Sequence, residues 1–209
     1  MHPTPSVVTA QRFAQGMTFD EYVAYTGTPE NLAREAGWWL GTTRHDFSGL
    51  LRTRYELCRL SEAQGAAIRW LAALPDGPAR LLVISEEWSS DCRRDVPMVA
   101  RLAEAGGLEL RIFPRDGQKQ TFQTVPTVVF LTKAFEVLYT YFEFPAIYRK
   151  TELARRLGVP ASRENREKEW ERFIRDWGAL QESPFWQVWT SAAVDEILSA
   201  LLERLVVGS

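Results

Sequence analysis

The sequence is poor in the residues that build disulfide frameworks and metal centres. Its 209 residues include only two cysteines, Cys58 and Cys92, and two histidines, His2 and His45. Two cysteines are too few for a secreted disulfide framework, and with these histidines they form no zinc-ligand pattern. We therefore expect a protein without a structural metal or another cofactor.

The chain also lacks an excess of one charge and any long apolar run. It has 25 basic and 27 acidic residues and a net charge of -2, so it offers no large basic surface to nucleic acid. The first residues, MHPTPSVVTAQRF, lack the pattern of a secretory signal, and no run reaches the ~20 apolar residues that span a bilayer. We expect a soluble, cytoplasmic protein that binds neither nucleic acid nor membranes.

Hydrophobic residues are plentiful, and the period at which they recur changes twice along the chain. At 45% hydrophobic and 12% aromatic residues, the chain can bury one core with an attached helical layer. Residues 18–74 favour three or four short helices, with Thr18 and Glu21 at capping-box spacing and Ser61 as a further N-cap. The pattern predicts a helical extension over 1–78, a core over 79–158 and a second helical extension over 159–209.

The central segment has the pattern of an α/β core. ARLLVISEEW is a continuous apolar run typical of a buried strand; a helix from Asp91 to about Ala105 follows, and LELRIFP alternates as a second strand. TVVFLT and FEVLYTYFEF, separated by the link 133–134, indicate an antiparallel hairpin. These elements predict a mixed central β-sheet flanked by helices.

The last fifty residues return to helical spacing. SRENREKEWERFIRDWGAL indicates one helix, and SPFWQVWTSAAVDEILSALLERL indicates another with Ser183 as N-cap and Pro184 at its first position. This region is rich in tryptophan, which allows either a partner-binding surface or packing onto the core. Packing is the favoured interpretation for the four residues Trp170, Trp177, Trp186 and Trp189.

One short stretch, EEWSSDCRRDVP at 86–97, lies where α/β sheets form their ligand crevices, between a strand and the helix that follows. Two features carry a resemblance: WSSDC with Pro97 five positions after Cys92, and the later Val125-Pro126-Thr127. Through them, the chain resembles the thioredoxin family over about residues 79–144. That family carries Trp-Cys-x-x-Cys and a cis-proline before the third strand. EEW, Asp91 and FPRDG are similar to a bacterial subgroup that carries a helical segment before the first strand.

The resemblance implies a thioredoxin-like fold and a set of site residues. Cys92 and Ser89 occupy the two positions at which family members carry their reactive cysteines. A peptide or disulfide substrate would lie against the neighbouring residues and the cis-proline loop: Trp88, Ser90, Asp91, Val125 and Pro126.

The sequence departs from the family pattern in three places. Ser89 replaces the first cysteine, and its hydroxyl pKa is far too high for attack on a disulfide. Val83 stands where many members carry a buried aspartate that assists proton transfer. Asp91 should raise the pKa of Cys92, whereas Arg93, Arg94 and the helix dipole should lower it, so the net direction stays open.

Two functions are compatible with this degenerate Ser-x-x-Cys site. Cys92 could act alone in exchange with a protein or a low-molecular-weight thiol or disulfide. Alternatively, the chain is a redox-inactive module that binds a peptide or protein. An introduced serine in place of a natural cysteine is a third interpretation, under which the parent protein is an ordinary oxidoreductase. Cys58 is expected to be a buried structural thiol, and Arg115 and Asp116 a surface ion pair in a turn.

Overall fold

The chain folds around a four-stranded mixed sheet, as the apolar pattern predicts. The computed structural model describes residues 8–34, 44–115, 124–146, 175–176 and 178–208. The helices are α1 (Ala10–Phe13), α2 (Phe19–Thr26), α3 (Pro29–Ala33), α4 (Ser48–Leu57), α5 (Glu62–Ala72), α6 (Ser90–Gly106) and α7 (Phe185–Leu202). The strands are β1 (Arg80–Ser85), β2 (Glu109–Pro114), β3 (Thr127–Leu131) and β4 (Val137–Phe142), and a π-helical turn, Glu203–Val207, follows α7.

The strands lie in the order β2-β1-β3-β4. β1 pairs in parallel with β2 and antiparallel with β3, and β3 pairs antiparallel with β4. The predicted strand-helix-strand crossover is therefore confirmed in β1-α6-β2. The outer edge of β2 is covered in part by Met17, whose N–H and C=O both bond Ile112 at 2.9 and 2.7 Å. This contact reduces the row of unpaired backbone groups at the sheet edge.

The amino-terminal helices begin where the capping signals predict. In α2, Thr18 accepts from the N–H of Glu21 and Glu21 accepts from the N–H of Thr18, which completes a capping box. Ser61 and Gln64 form the same arrangement at the start of α5. The four helices from α2 to α5 confirm the three or four helices predicted over 18–74, and strand β1 follows them.

The hairpin between β3 and β4 has a longer turn than the predicted two-residue link. β3 ends at Leu131 and β4 begins at Val137, so the sequence prediction placed the start of the second strand two residues too early. The side chain of Thr132 accepts from the N–H groups of Ala134 and Glu136, and Phe135 adopts φ 65°. These bonds hold residues 132–136 in a closed turn in place of further ladder pairing.

The carboxyl-terminal helix confirms part of its prediction. α7 begins at Phe185 with Pro184 at the N-cap, one residue later than predicted, although Ser183 Oγ still accepts from the N–H of Phe185 at 3.2 Å. Trp186 and Trp189 are buried, as the packing interpretation requires. Trp170, Trp177, most of the charged segment 162–180 that was predicted to be helical, and the predicted boundary at 158 lie outside the described residues.

Helix α6 is the central helix of the molecule. It packs on β1 and β2, and the helices α4, α5 and α7 pack against it. Every residue from Cys92 to Ala100 is buried, including three charged ones, and Gly107 ends the helix with φ 65°. The polar groups at its start must therefore find their partners within the protein. Across the described residues, no helix combines the length and apolarity needed to cross a membrane.

The turn between α5 and β1 depends on a glycine. A Cβ added at Gly77 would lie 2.1 Å from the carbonyl oxygen of Leu71 and 3.0 Å from that of Leu74, whereas one added at Gly49 in α4 would meet nothing within 4 Å. We expect Gly77→Ala to lower the free energy of unfolding by about 2 kcal/mol or more, because backbone must move. The control Gly49→Ala should be neutral or up to about 1 kcal/mol stabilising. Urea unfolding followed by circular dichroism measures both, and equal effects would contradict this account.

Candidate functional site

The candidate site is the loop that joins β1 to α6. Ser85 ends the strand, Ser89 occupies the N-cap position and the helix begins at Ser90. Although Ser89 occupies the N-cap position, its side chain makes no capping bond to the helix backbone. Its hydroxyl hydrogen-bonds the thiol of Cys92 instead. The loop thus turns its polar groups inward, toward the sulfur.

Cys92 is fully enclosed. Its side chain is 0% exposed, and Sγ accepts from the N–H of Glu86 at 3.4 Å. Burial raises the pKa of Cys92 to about 12; the nearby Asp91 charge adds to the rise, while hydrogen bonds from Ser85, Glu86 and Ser89 oppose it. Cys92 is therefore a protonated thiol near neutral pH, and the direction that the sequence left open is upward.

The two arginines next to Cys92 do not activate it. The Arg93 guanidinium donates to the carbonyl oxygens of Glu87 and Trp88 at 3.1 and 2.8 Å. Arg94 donates to both carboxylate oxygens of Asp95 at 2.7 Å. Because each guanidinium is engaged elsewhere, neither offsets the loss of solvation at the sulfur.

A hydroxyl pair lies on the strand side of the sulfur. Tyr22 Oη and Ser85 Oγ are 2.9 Å apart and both side chains are buried; Ser85 in turn hydrogen-bonds Cys92. Val83 is fully buried where many family members carry an acid. The sulfur is thus connected to two neutral hydroxyls rather than to a carboxylate. Neither Tyr22 nor Ser85 was predicted, since nothing local in the sequence indicates their contact.

The first half of the loop carries two buried carboxylates. Glu86 forms ion pairs with Arg34 at 2.7 Å and with Arg44 at 3.0 Å, and Glu87 forms one with Arg44 at 2.9 Å. Asn31 donates to Glu87 at 2.9 Å. These partners come from α3 and the residues around it, 42 to 56 positions earlier in the chain. The amino-terminal segment therefore covers the β1-α6 loop, hereafter the motif loop, through ion pairs.

A second buried network lies on the opposite side, in the first turns of α6. Arg94 binds Asp95 at 2.7 Å and Asp91 at 2.8 Å, and Tyr141 donates to Asp95 at 2.8 Å. Gln181 bridges Arg94 and Asp91 at 2.9 Å each. Burial is the main cause that raises the pKa of Asp91 to about 6, against the lowering effect of Arg94. This network connects the helix start to β4 and to the segment before α7.

The residues expected to contact a substrate are largely covered. Trp88 is 3% exposed and Val125 is 7% exposed, and Pro126 follows Val125 through a cis peptide bond. Ser90 and Asp91 are half-buried at the rim. Because Ile84 pairs with Thr127, the Val125-Pro126 peptide and the loop after Ser85 lie at the same end of the sheet. Of the seven predicted site residues, only Ser90 and Asp91 reach the surface appreciably.

The end of β2 also reaches the loop. The backbone N–H of Arg115 donates to Glu86 at 2.8 Å, and its guanidinium lies over the ring of Trp88 at 5.3 Å. Arg115 therefore contacts the motif loop, whereas the sequence suggested only a surface ion pair within a turn. Its expected partner Asp116 lies outside the described residues.

Comparison with known sequences decides the family. The sequence model of the thioredoxin family matches residues 50–157, more than half of the chain. The chain belongs to the thioredoxin family. The β1-α6 loop described above lies within the matched residues.

Solved structures share the fold at low sequence identity. A protein of unknown function from Pseudomonas aeruginosa is 15% identical with a TM-score of 0.59, over 93% of this chain and 97% of that one. An HIV epitope-scaffold is 17% identical with a TM-score of 0.54, over 93% of this chain and 98% of that one. No curated protein matches the sequence. These likenesses show a fold shared over 93% of this chain.

The second cysteine has the structural role that was predicted. Cys58 is 4% exposed at the end of α4, and burial raises its pKa to about 11. Both cysteines are free thiols. Within the described ranges, no cluster of histidine, cysteine or acidic side chains is arranged to hold a metal ion.

The Arg94–Asp95 pair should contribute strongly to stability. Asp95→Ala leaves the Arg94 guanidinium without its bidentate partner and should lower the free energy of unfolding by about 3–5 kcal/mol. The control Asp20→Ala removes an exposed ion pair, in which the Asp20 side chain is 78% and the Arg52 side chain 41% exposed. It should lower the free energy of unfolding by under about 1 kcal/mol. Guanidinium chloride unfolding measures both variants. A small loss for Asp95→Ala would show that the buried network is not a stabilising element.

Proposed function

We propose that this thioredoxin-family protein is a redox-inactive binding module that holds an extended peptide or a segment of a protein partner. The observation that carries the proposal is the enclosure of Cys92, which is 0% exposed with a pKa raised to about 12. A protonated thiol without access to solvent is a poor nucleophile. Ser89 cannot replace it, because a hydroxyl does not attack disulfides without strong activation.

The backbone beside the cis peptide bond supports peptide binding. Neither the N–H nor the C=O of Val125 forms a hydrogen bond with any residue in the described part of the chain. Such a pair of groups can bind an extended peptide as a short strand. The neighbouring Thr124 is half-buried, so the partner's backbone would reach Val125 along this side of the loop.

The rim of the loop supplies the groups that would select the partner. Ser90 and Asp91 are half-buried at the start of α6, and the side chain of Asp91 is 17% exposed while bound to Arg94. A hydroxyl and a partly neutralised carboxylate favour a partner that presents hydrogen-bond donors. The rigid ion pairs beneath them keep this rim in one conformation, which lowers the entropic cost of binding.

Single-thiol exchange with a protein or low-molecular-weight disulfide is the second candidate. It is favoured by the three hydrogen bonds from Ser85, Glu86 and Ser89, each of which lowers the pKa of Cys92. This function requires the loop to open, because a disulfide cannot reach a fully buried sulfur. The buried ion pairs on both sides of the loop oppose that opening, which makes binding the better supported function.

A displayed library of random peptides tests the binding proposal. We expect peptides to be selected by the wild-type protein and to lose at least about tenfold in affinity on Ser90→Trp, because the bulky ring obstructs the rim. The matched control Lys133→Glu changes an exposed residue at the far end of β3 and should leave affinity within about twofold.

Two results would contradict the proposal. One is a library that yields no binder to folded protein, and the other is a set of binders that Ser90→Trp does not affect. Circular dichroism of Ser90→Trp verifies that the variant is folded, so that lost affinity reports on the rim.

A further inference from the structure

Two buried arginines on neighbouring helices each have an N–H group without a hydrogen-bond partner. Arg54 on α4 is 3% exposed and Arg93 on α6 is 7% exposed. Arg54 Nη1 and Arg93 Nε are buried and have no partner among the described residues. The two helices pack against each other, and Arg93 is near enough to repel Arg54. An unpaired buried donor on a charged group costs more than one on a neutral group, so two of them on packed helices call for an explanation.

The remaining contacts of the two guanidiniums fix their positions without neutralising them. Arg54 Nη2 donates to the carbonyl oxygen of Gln181 at 2.9 Å, and the group lies over the Trp186 ring at 5.6 Å. Arg93 lies over the Phe47 ring at 4.1 Å and donates to loop carbonyls. Carbonyls and aromatic rings stabilise cations but carry no net charge.

The surrounding charges leave this pair electropositive. Burial, followed by repulsion from Arg93, lowers the pKa of Arg54 to about 10. Glu182 is the acidic group that acts most strongly on both arginines, yet its side chain is exposed. Asp91 and Asp95 lie nearby but are already bound to Arg94. No ion pair within the described ranges joins Arg54 or Arg93 to an acid.

We propose that Arg54 and Arg93 form a binding site for a small inorganic anion, such as chloride or phosphate, between α4 and α6. Arg54 Nη1 and Arg93 Nε are the donors, and the anion supplies the negative charge that the neighbouring side chains do not. Guanidinium groups are well suited to this task, since they are weakly hydrated, stay charged and donate in fixed directions.

The site has a direct connection to the motif loop. Arg93 donates to the carbonyl oxygens of Glu87 and Trp88, so an anion that fixes Arg93 also fixes this loop. Anion binding should therefore stabilise the folded chain as a ligand that binds only the native state does. The site is separate from the peptide-binding rim, and its test does not depend on the proposed function.

The experiment follows thermal unfolding of the full chain during titration with sodium chloride or sodium phosphate. Sodium methanesulfonate keeps the ionic strength constant. We expect a saturable rise in Tm, and the two titrations distinguish chloride from oxyanion. Arg54→Met, which keeps the apolar volume, should abolish the rise. The control Arg101→Met removes an arginine of α6 that is paired with Glu104, and the rise should remain.

A surface variant provides a second test that does not risk the fold. Glu182→Gln removes the acid that acts on both arginines, so it should lower the anion Kd by about two- to fivefold. Isothermal titration calorimetry should give one site per chain. The proposal is overturned if the wild-type protein shows no saturable effect, if Arg54→Met and Arg101→Met respond alike, or if Glu182→Gln weakens binding.

Discussion

A helix whose first turns are buried on every side can carry charged residues there only if those residues find partners within the protein. α6 begins with such charges, since Arg93, Arg94 and Asp95 all lie in the interior. The loop before it adds two buried carboxylates, Glu86 and Glu87. The partners come from the amino-terminal helices, from β4 and from the segment before α7. The amino-terminal segment is therefore part of the electrostatic structure of the core, because Glu86 and Glu87 depend on its Arg34 and Arg44 for their ion pairs.

The same burial determines the chemistry of the loop. In a dithiol site, a helix start and nearby cations make a cysteine acidic. Here desolvation outweighs both, because the cations bind acids and carbonyls instead of facing the sulfur. The sulfur of this thioredoxin-family chain is therefore both enclosed and protonated near neutral pH.

The sequence predicted the fold well and the interior of the site poorly. The apolar run of β1 and the capping boxes of α2 and α5 are local patterns, and each was found where expected. The ion pairs of Glu86 with Arg34 and Arg44 join residues 42 to 52 positions apart, and no local pattern encodes them. Charge near Cys92 was visible in the sequence, but which acid each arginine binds depends on tertiary packing.

The most direct measurement is the pH dependence of Cys92 alkylation in Cys58→Ala protein, in which Cys92 is the single thiol that can react. We expect iodoacetamide to react about a hundredfold more slowly with the native than with the urea-unfolded chain, and without a plateau up to about pH 10. Such a result supports a buried, protonated thiol in a sealed loop. A fast native reaction with an apparent pKa below the ~8.5 of free cysteine would contradict the account and favour single-thiol exchange.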